Sequence, residues 1–189
     1  MVALRGRNER YAVGAIAGFV AFVVGYLFVY LLSGRDVEGS LEPIDAALEL
    51  FQAEPVGTWR VVGWLLYSAH FVDTRLVAGI GPIETAVYVD LVGEGSSELL
   101  YLVPPTILLV AGFLVVFLAR LDDPIQGATL GVSVTIGYLL AVGIGLVAFA
   151  YGDTRPDPAV AIVVAGVVYP AVFGAIGGAI ASVLRDSRS

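Results

Sequence analysis

The sequence predicts an all-α integral membrane protein of four transmembrane helices, with an acidic extracytoplasmic segment, residues 33–98, between the first two. Three observations predict it. The chain is 58% hydrophobic and only 14% charged, against roughly 45–50% and about 25% in soluble domains. Its mean hydropathy is +0.90. The apolar excess is gathered into long uncharged runs, the pattern of a chain whose solvent is lipid. The length of 189 residues suits a single membrane domain.

The first run, Tyr11–Leu32, would span about 33 Å as a helix, enough to cross a hydrocarbon core of about 30 Å. Tyr11 and Tyr30 lie near its ends, where aromatic rings favour the interface. The run is longer than the apolar part of a secretory signal and lacks a clean small-x-small site after it, so an uncleaved first span is expected. The second span is expected over about 99–118, with Pro104 and Pro105 near its start. The third, about 124–151, opens on Asp123 as N-cap, Pro124 at the first helical position and Gln126 at capping-box spacing. The fourth, about 158–184, repeats the Asp-Pro start with Asp157 and Pro158. Pro170 would free the carbonyl of Gly166 within it, which predicts a bend.

Inside the 33–98 segment, Leu41, Ile44, Leu48 and Phe51 recur at helical spacing, with Glu42, Asp45 and Glu49 on other faces. This predicts a short amphipathic helix capped by Ser40. Next comes WRVVGWLLYSAHFV, Trp59–Val72. The twelve uncharged residues between Arg60 and Asp73 are too few to span, and Trp64, Tyr67 and Phe71 share an aromatic stripe. A helix in the membrane interface, or packed over the outer mouth of the bundle, is expected. The competing reading is a strained fifth span near 59–80, with the termini on opposite sides. Leu76–Leu91, with Gly79, Gly81 and Pro82, fits either a short interfacial helix or a loop.

Charge is unevenly placed. All ten basic residues are arginine, and the net charge is −7. Residues 33–98 carry eleven acids and three arginines, a balance of −8 that leaves +1 for everything else. In molar salt the Debye length is only about 3 Å, so crowded carboxylates repel little, and an acidic, lysine-free surface suits that medium. It does not suit nucleic acid, which needs basic patches. Arg5, Arg7, Arg10, Arg120, Arg185 and Arg188 would all fall on one side of a four-span chain, predicting both termini in the cytoplasm and a plasma-membrane location.

Three glycine pairs sit on single helix faces: Gly14 with Gly18, Gly127 with Gly131, and Gly174 with Gly178. In lipid such faces let backbones approach closely. Packing within one bundle is the leading reading, and association into a homo-oligomer or with another membrane protein the alternative. The chemistry-bearing candidates are Trp59, Trp64, Tyr67, His70, Asp73 and Arg75. His70 is the only histidine and there is no cysteine, so a zinc site is not expected; no cofactor is. A carboxylate site for a hard cation stays open. Ser68, His70 and Asp73 do not make a triad, because residues 68 and 70 face nearly opposite ways on a helix. His70 is expected to bond instead to Asp73 or Thr74, one turn on. The spans contain no charged residue, which argues against an ion-coupled transporter. Their polar set, including Tyr26, Ser133, Thr135, Tyr138 and Tyr169, is expected to bond to neighbouring helices or backbone.

The arginine-only basic set, the acidic outer segment, the GWLLYSAHFV tract and the glycine-rich last two helices resemble those of small uncharacterised four-helix, multi-pass membrane protein families of haloarchaea. The resemblance implies a plasma-membrane location and brings no activity. The expected role is a non-enzymatic structural or accessory membrane subunit. The alternatives are a small-solute permease or channel component acting as an oligomer, and an intramembrane enzyme using His70 with loop carboxylates.

Overall fold

A computed structural model describes residues 6–50, 54–80, 83–93 and 97–186. Arg5, Arg188, Phe51, Gly81, Pro82 and Glu94 lie outside them. Four helical stretches are long and apolar enough to cross a membrane: Asn8–Ala46, Glu98–Ala119, Pro124–Ala148 and Pro158–Asp186.

The first helix, α1 (Arg7–Leu50), is one unbroken rod of 44 residues, about 66 Å long. The separate amphipathic helix expected after residue 40 is its continuation. Ser40 is not a cap: its hydroxyl donates to the Asp36 carbonyl at 2.8 Å, the bond a mid-helix serine makes to the turn behind it. Gly34, Gly39 and Pro43 read locally as breakers, yet α1 runs through all three.

The chain re-enters at Gly57, whose φ of 79° favours glycine, and forms α2 (Thr58–Ser68). Eleven residues span only about 17 Å, so the fifth-span reading falls. Val62–Ser68 are all buried, so α2 is packed within the protein rather than laid on an interface. A turn closes it at Phe71, which adopts a left-handed φ of 59°, and the Val72 N–H reaches back to the Tyr67 carbonyl at 3.1 Å.

The all-α expectation is corrected next. Residues 74–80 and 83–89 are neither helix nor loop but two antiparallel strands, β1 (Thr74–Ile80) and β2 (Ile83–Val89), in register from Thr74↔Val89 to Ile80↔Ile83. Seven of these fourteen residues are Val, Ile or Thr, which suit a pleated sheet, and only two residues separate the strands. A two-residue strand, β3 (Arg155–Pro156), joins the other edge of β1 by pairing with Thr74 and Arg75, for the order β2-β1-β3.

A 3-10 turn over Glu98–Leu102 leads into α3 (Val103–Ala119), where Pro104 and Pro105 occupy the first turn. Arg120 closes α3 in a left-handed conformation, φ 58°. Asp123 accepts from the Gln126 N–H at 2.8 Å and opens α4 (Pro124–Gly131). A break at Val132–Ser133 separates it from α5 (Val134–Ala148). Asp157 likewise accepts from the Ala159 and Val160 N–H groups and starts α6 (Pro158–Val160). A π-helical stretch, Ala161–Val168, follows, then α7 (Tyr169–Asp186). Pro170 is thus met by widened turns ahead of it rather than by an end to the helix.

The chain's basic helix ends gather together. Arg10 and Leu121 line one hollow, Arg120 caps α3, and Arg185 donates to the Phe117 carbonyl at 3.3 Å. The hairpin, α2 and the Tyr151–Thr154 turn occupy the opposite end of the bundle, where Asp157 N–H bonds the Asp73 carbonyl at 2.9 Å.

Candidate functional site

The buried face of α2 packs on α1 and reaches α5 through its side chains, and with the turn after it holds three of the six candidate residues, Trp64, Tyr67 and His70. Three side chains fasten it. The Trp64 indole N–H donates to the Phe149 carbonyl at 2.7 Å. The Tyr67 hydroxyl donates to the Val142 carbonyl at 2.5 Å. His70 holds Leu66 O through Nδ1 at 2.7 Å and Tyr138 through Nε2 at 2.8 Å. A carbonyl only accepts, so Nδ1 carries the proton, and Tyr138 donates to Nε2.

His70 does not bond to Asp73 or Thr74. That expectation assumes that the helix continues, but the left-handed turn at Phe71 sends Asp73 and Thr74 away into β1. Asp73 is exposed and gives its backbone carbonyl to Asp157. Arg75 stands in β1 opposite Tyr88 and Arg155. The aromatic stripe also divides: Trp64 and Tyr67 go inward, while Phe71 stays exposed and stacks on Tyr101 at 4.7 Å. Tyr101 in turn donates to Asp90, whose other oxygen accepts the Val92 and Gly93 N–H groups.

Around the imidazole the rings are dense. Tyr138 and Tyr169 lie 5.8 and 5.1 Å from it, and Phe22 edges onto both Tyr67 and Tyr138. His70 is fully buried. Burial disfavours its charged form and holds its pKa down to about 4, against the opposing pull of the Leu66 bond. Burial likewise pushes the Tyr67 hydroxyl up. The enclosed pair, its polar atoms facing each other, fastens the turn after α2 to α5.

Trp59 stands at the rim, half exposed. It carries the Arg60 guanidinium 4.6 Å from its ring centre and accepts the Tyr26 hydroxyl on its carbonyl at 3.1 Å. Arg60 also lies 5.5 Å from the Tyr151 ring and donates to the Val56 carbonyl at 3.0 Å. Sequence reasoning does not single out Arg60, Phe149 or Tyr151. It names Tyr138 only as an intramembrane hydroxyl, and no short-range signal links that residue to His70, 68 positions away.

The glycine pairs meet backbone. A Cβ at Gly18 would stand 1.8 Å from the Val134 carbonyl oxygen, and one at Gly14 would strike Ser133. Gly127 faces Gly178, and Gly131 faces Gly174, so two of the three motifs interlock crosswise between α4 and α7. Among the described residues, no three His, Asp or Glu side chains converge to hold a metal ion.

These features define a helical protein with four bilayer-length apolar helices, closed at one end by a buried helix and a small sheet. The chain belongs to a family of unknown function, DUF7978, which matches residues 3–185. No curated protein and no solved structure matches it.

Proposed function

We propose that the protein is a non-catalytic accessory subunit of the plasma membrane of a salt-adapted archaeon, with both termini cytoplasmic and its outer end offered to a partner protein. The observation that carries this is the triple fastening of α2 to the bundle by Trp64, Tyr67 and His70. It makes a stiff pedestal beneath the hairpin and beneath the part of α1 beyond the apolar run. Below it, α3, α4 and α7 meet at glycine backbone, a closeness that favours a fixed body over an opening path. Arg10, Arg120 and Arg185 at the opposite end support the orientation.

The test is isolation of the full chain from native membranes in mild detergent, followed by mass determination. A stoichiometric foreign partner, lost when residues 74–89 are replaced by a short glycine-serine link, supports the proposal. A discrete homo-oligomer whose purified form passes small solutes across liposomes replaces it with a permease or channel component.

A further inference from the structure

Where α1 leaves its apolar run, a cavity of about 420 Å³ opens between it and the 3-10 turn ahead of α3. That volume lies within the roughly 300–1,000 Å³ of small-molecule sites. Its walls differ in kind. On one side Leu32 and Leu99, which line it, are 58% and 67% exposed on the outer surface of the helices, so the cavity is open to whatever surrounds the apolar bundle. On the other side stand Ser33, Asp36 and Ser97.

Ser33 is the informative residue. It is only 7% exposed, it lines the cavity, and its hydroxyl has no hydrogen-bond partner among the described residues. A mid-helix serine ordinarily bonds the turn behind it, as Ser40 does further along the same wall. Ser33 instead keeps its hydroxyl for the cavity. Asp36 adds an acceptor-only carboxylate, and its backbone carbonyl is already taken by Ser40.

We infer that this cavity binds one membrane lipid with a neutral, hydroxyl-bearing headgroup. Its chain lies along Leu32 and Leu99, while its head donates to Asp36 and exchanges a hydrogen bond with Ser33. The polar wall chooses the head. A sugar or glycerol hydroxyl brings donors to Asp36, whereas a phosphate would set acceptor against acceptor and like charge against like charge. The inference depends on the bilayer location, and not on the accessory role proposed above.

The full chain reconstituted in bilayer discs of phosphatidylglycerol with a minor share of monogalactosyl diacylglycerol, then released into a native mass spectrometer, reads this directly. The wild-type chain should carry one galactolipid, enriched about fivefold over its bulk share, the scale of one hydrogen bond. Ser33→Val should bring that enrichment close to the bulk share. Asp36→Asn, at an exposed position that leaves packing intact, should raise the share of bound phosphatidylglycerol. The inference is overturned by a wild-type chain without galactolipid enrichment, by enrichment that survives Ser33→Val, or by a lipid ratio indifferent to Asp36→Asn.

Discussion

The α4–α7 seam and the α2–α5 seam are both buried, yet they hold by opposite means. Between α4 and α7 the closest approach is at glycine: Gly127 and Gly131 lie against the backbone of Gly178 and Gly174, with the small Ser182 side chain also on Gly127. Between α2 and α5 the link is made by long, polar-tipped side chains, with Tyr67 reaching the Val142 carbonyl and His70 reaching Tyr138. Surroundings as apolar as the helices themselves give hydrophobicity little to do, so close contact and satisfied hydrogen bonds become the adhesives. The first seam is sensitive to anything added. The second is sensitive to any partner removed.

Enlarging the glycine seam should have the largest effect. A Cβ at Gly174 would stand 2.6 Å from the Gly131 carbonyl oxygen, so Gly174→Leu should cost about 4 kcal/mol in denaturant unfolding of the detergent-solubilised chain. Unchanged stability would mean that the seam can open.

Acid should act on the second seam alone. Folding favours the neutral imidazole of His70, so the unfolded chain, with the ordinary value of 6.5, binds the extra proton. Stability is therefore complete above pH 6.5, falls as the pH drops from 6.5 to about 4, and loses on the order of 3 kcal/mol across that window. The decline attributable to His70 is the difference between wild type and His70→Gln. Identical pH profiles for the two would remove the buried neutral histidine from the account.

Deleting a partner comes next. Tyr67→Phe removes the hydroxyl that bonds the Val142 carbonyl, which keeps its place in the α5 ladder, and should cost about 1 kcal/mol with little change in packing. The contrast is sharpest where an added methyl meets no neighbour. A Cβ placed on Gly143 would have nothing within 4 Å, so Gly143→Ala should raise stability by about 0.5–1 kcal/mol through helix propensity. A loss there would show that glycine is required in α5 for a reason other than contact.

The difference between the seams also marks what can be read from sequence. The long apolar stretches and the two Asp-Pro helix starts are legible because length, N-cap and proline act within a few residues. The glycine pairs are visible as faces, and their crosswise meeting needs only antiparallel neighbours. The hairpin is hidden because Leu76–Leu91 carries apolar residues that satisfy neither a clean helical nor a clean alternating period, and Gly79, Gly81 and Pro82 blur both. The continuity of α1 is hidden because Gly34, Gly39 and Pro43 each argue locally for a break. Histidine placement fails for a different reason: one left-handed residue, Phe71, redirects everything after α2, and the true partner comes from another helix.

The π-helical turns at Ala161–Val168 carry a geometric consequence. Each residue of an α-helix advances the side-chain direction by about 100°, and wider turns reset that phase. Ahead of them Ala161 and Ala165 are buried, and after them Gly174, Gly177 and Gly178 face α3 and α4. A single rod thereby serves neighbours on different sides without a break. Removing one residue from this stretch would rotate the whole distal half and carry its glycines out of alignment, although no contacting residue had been changed.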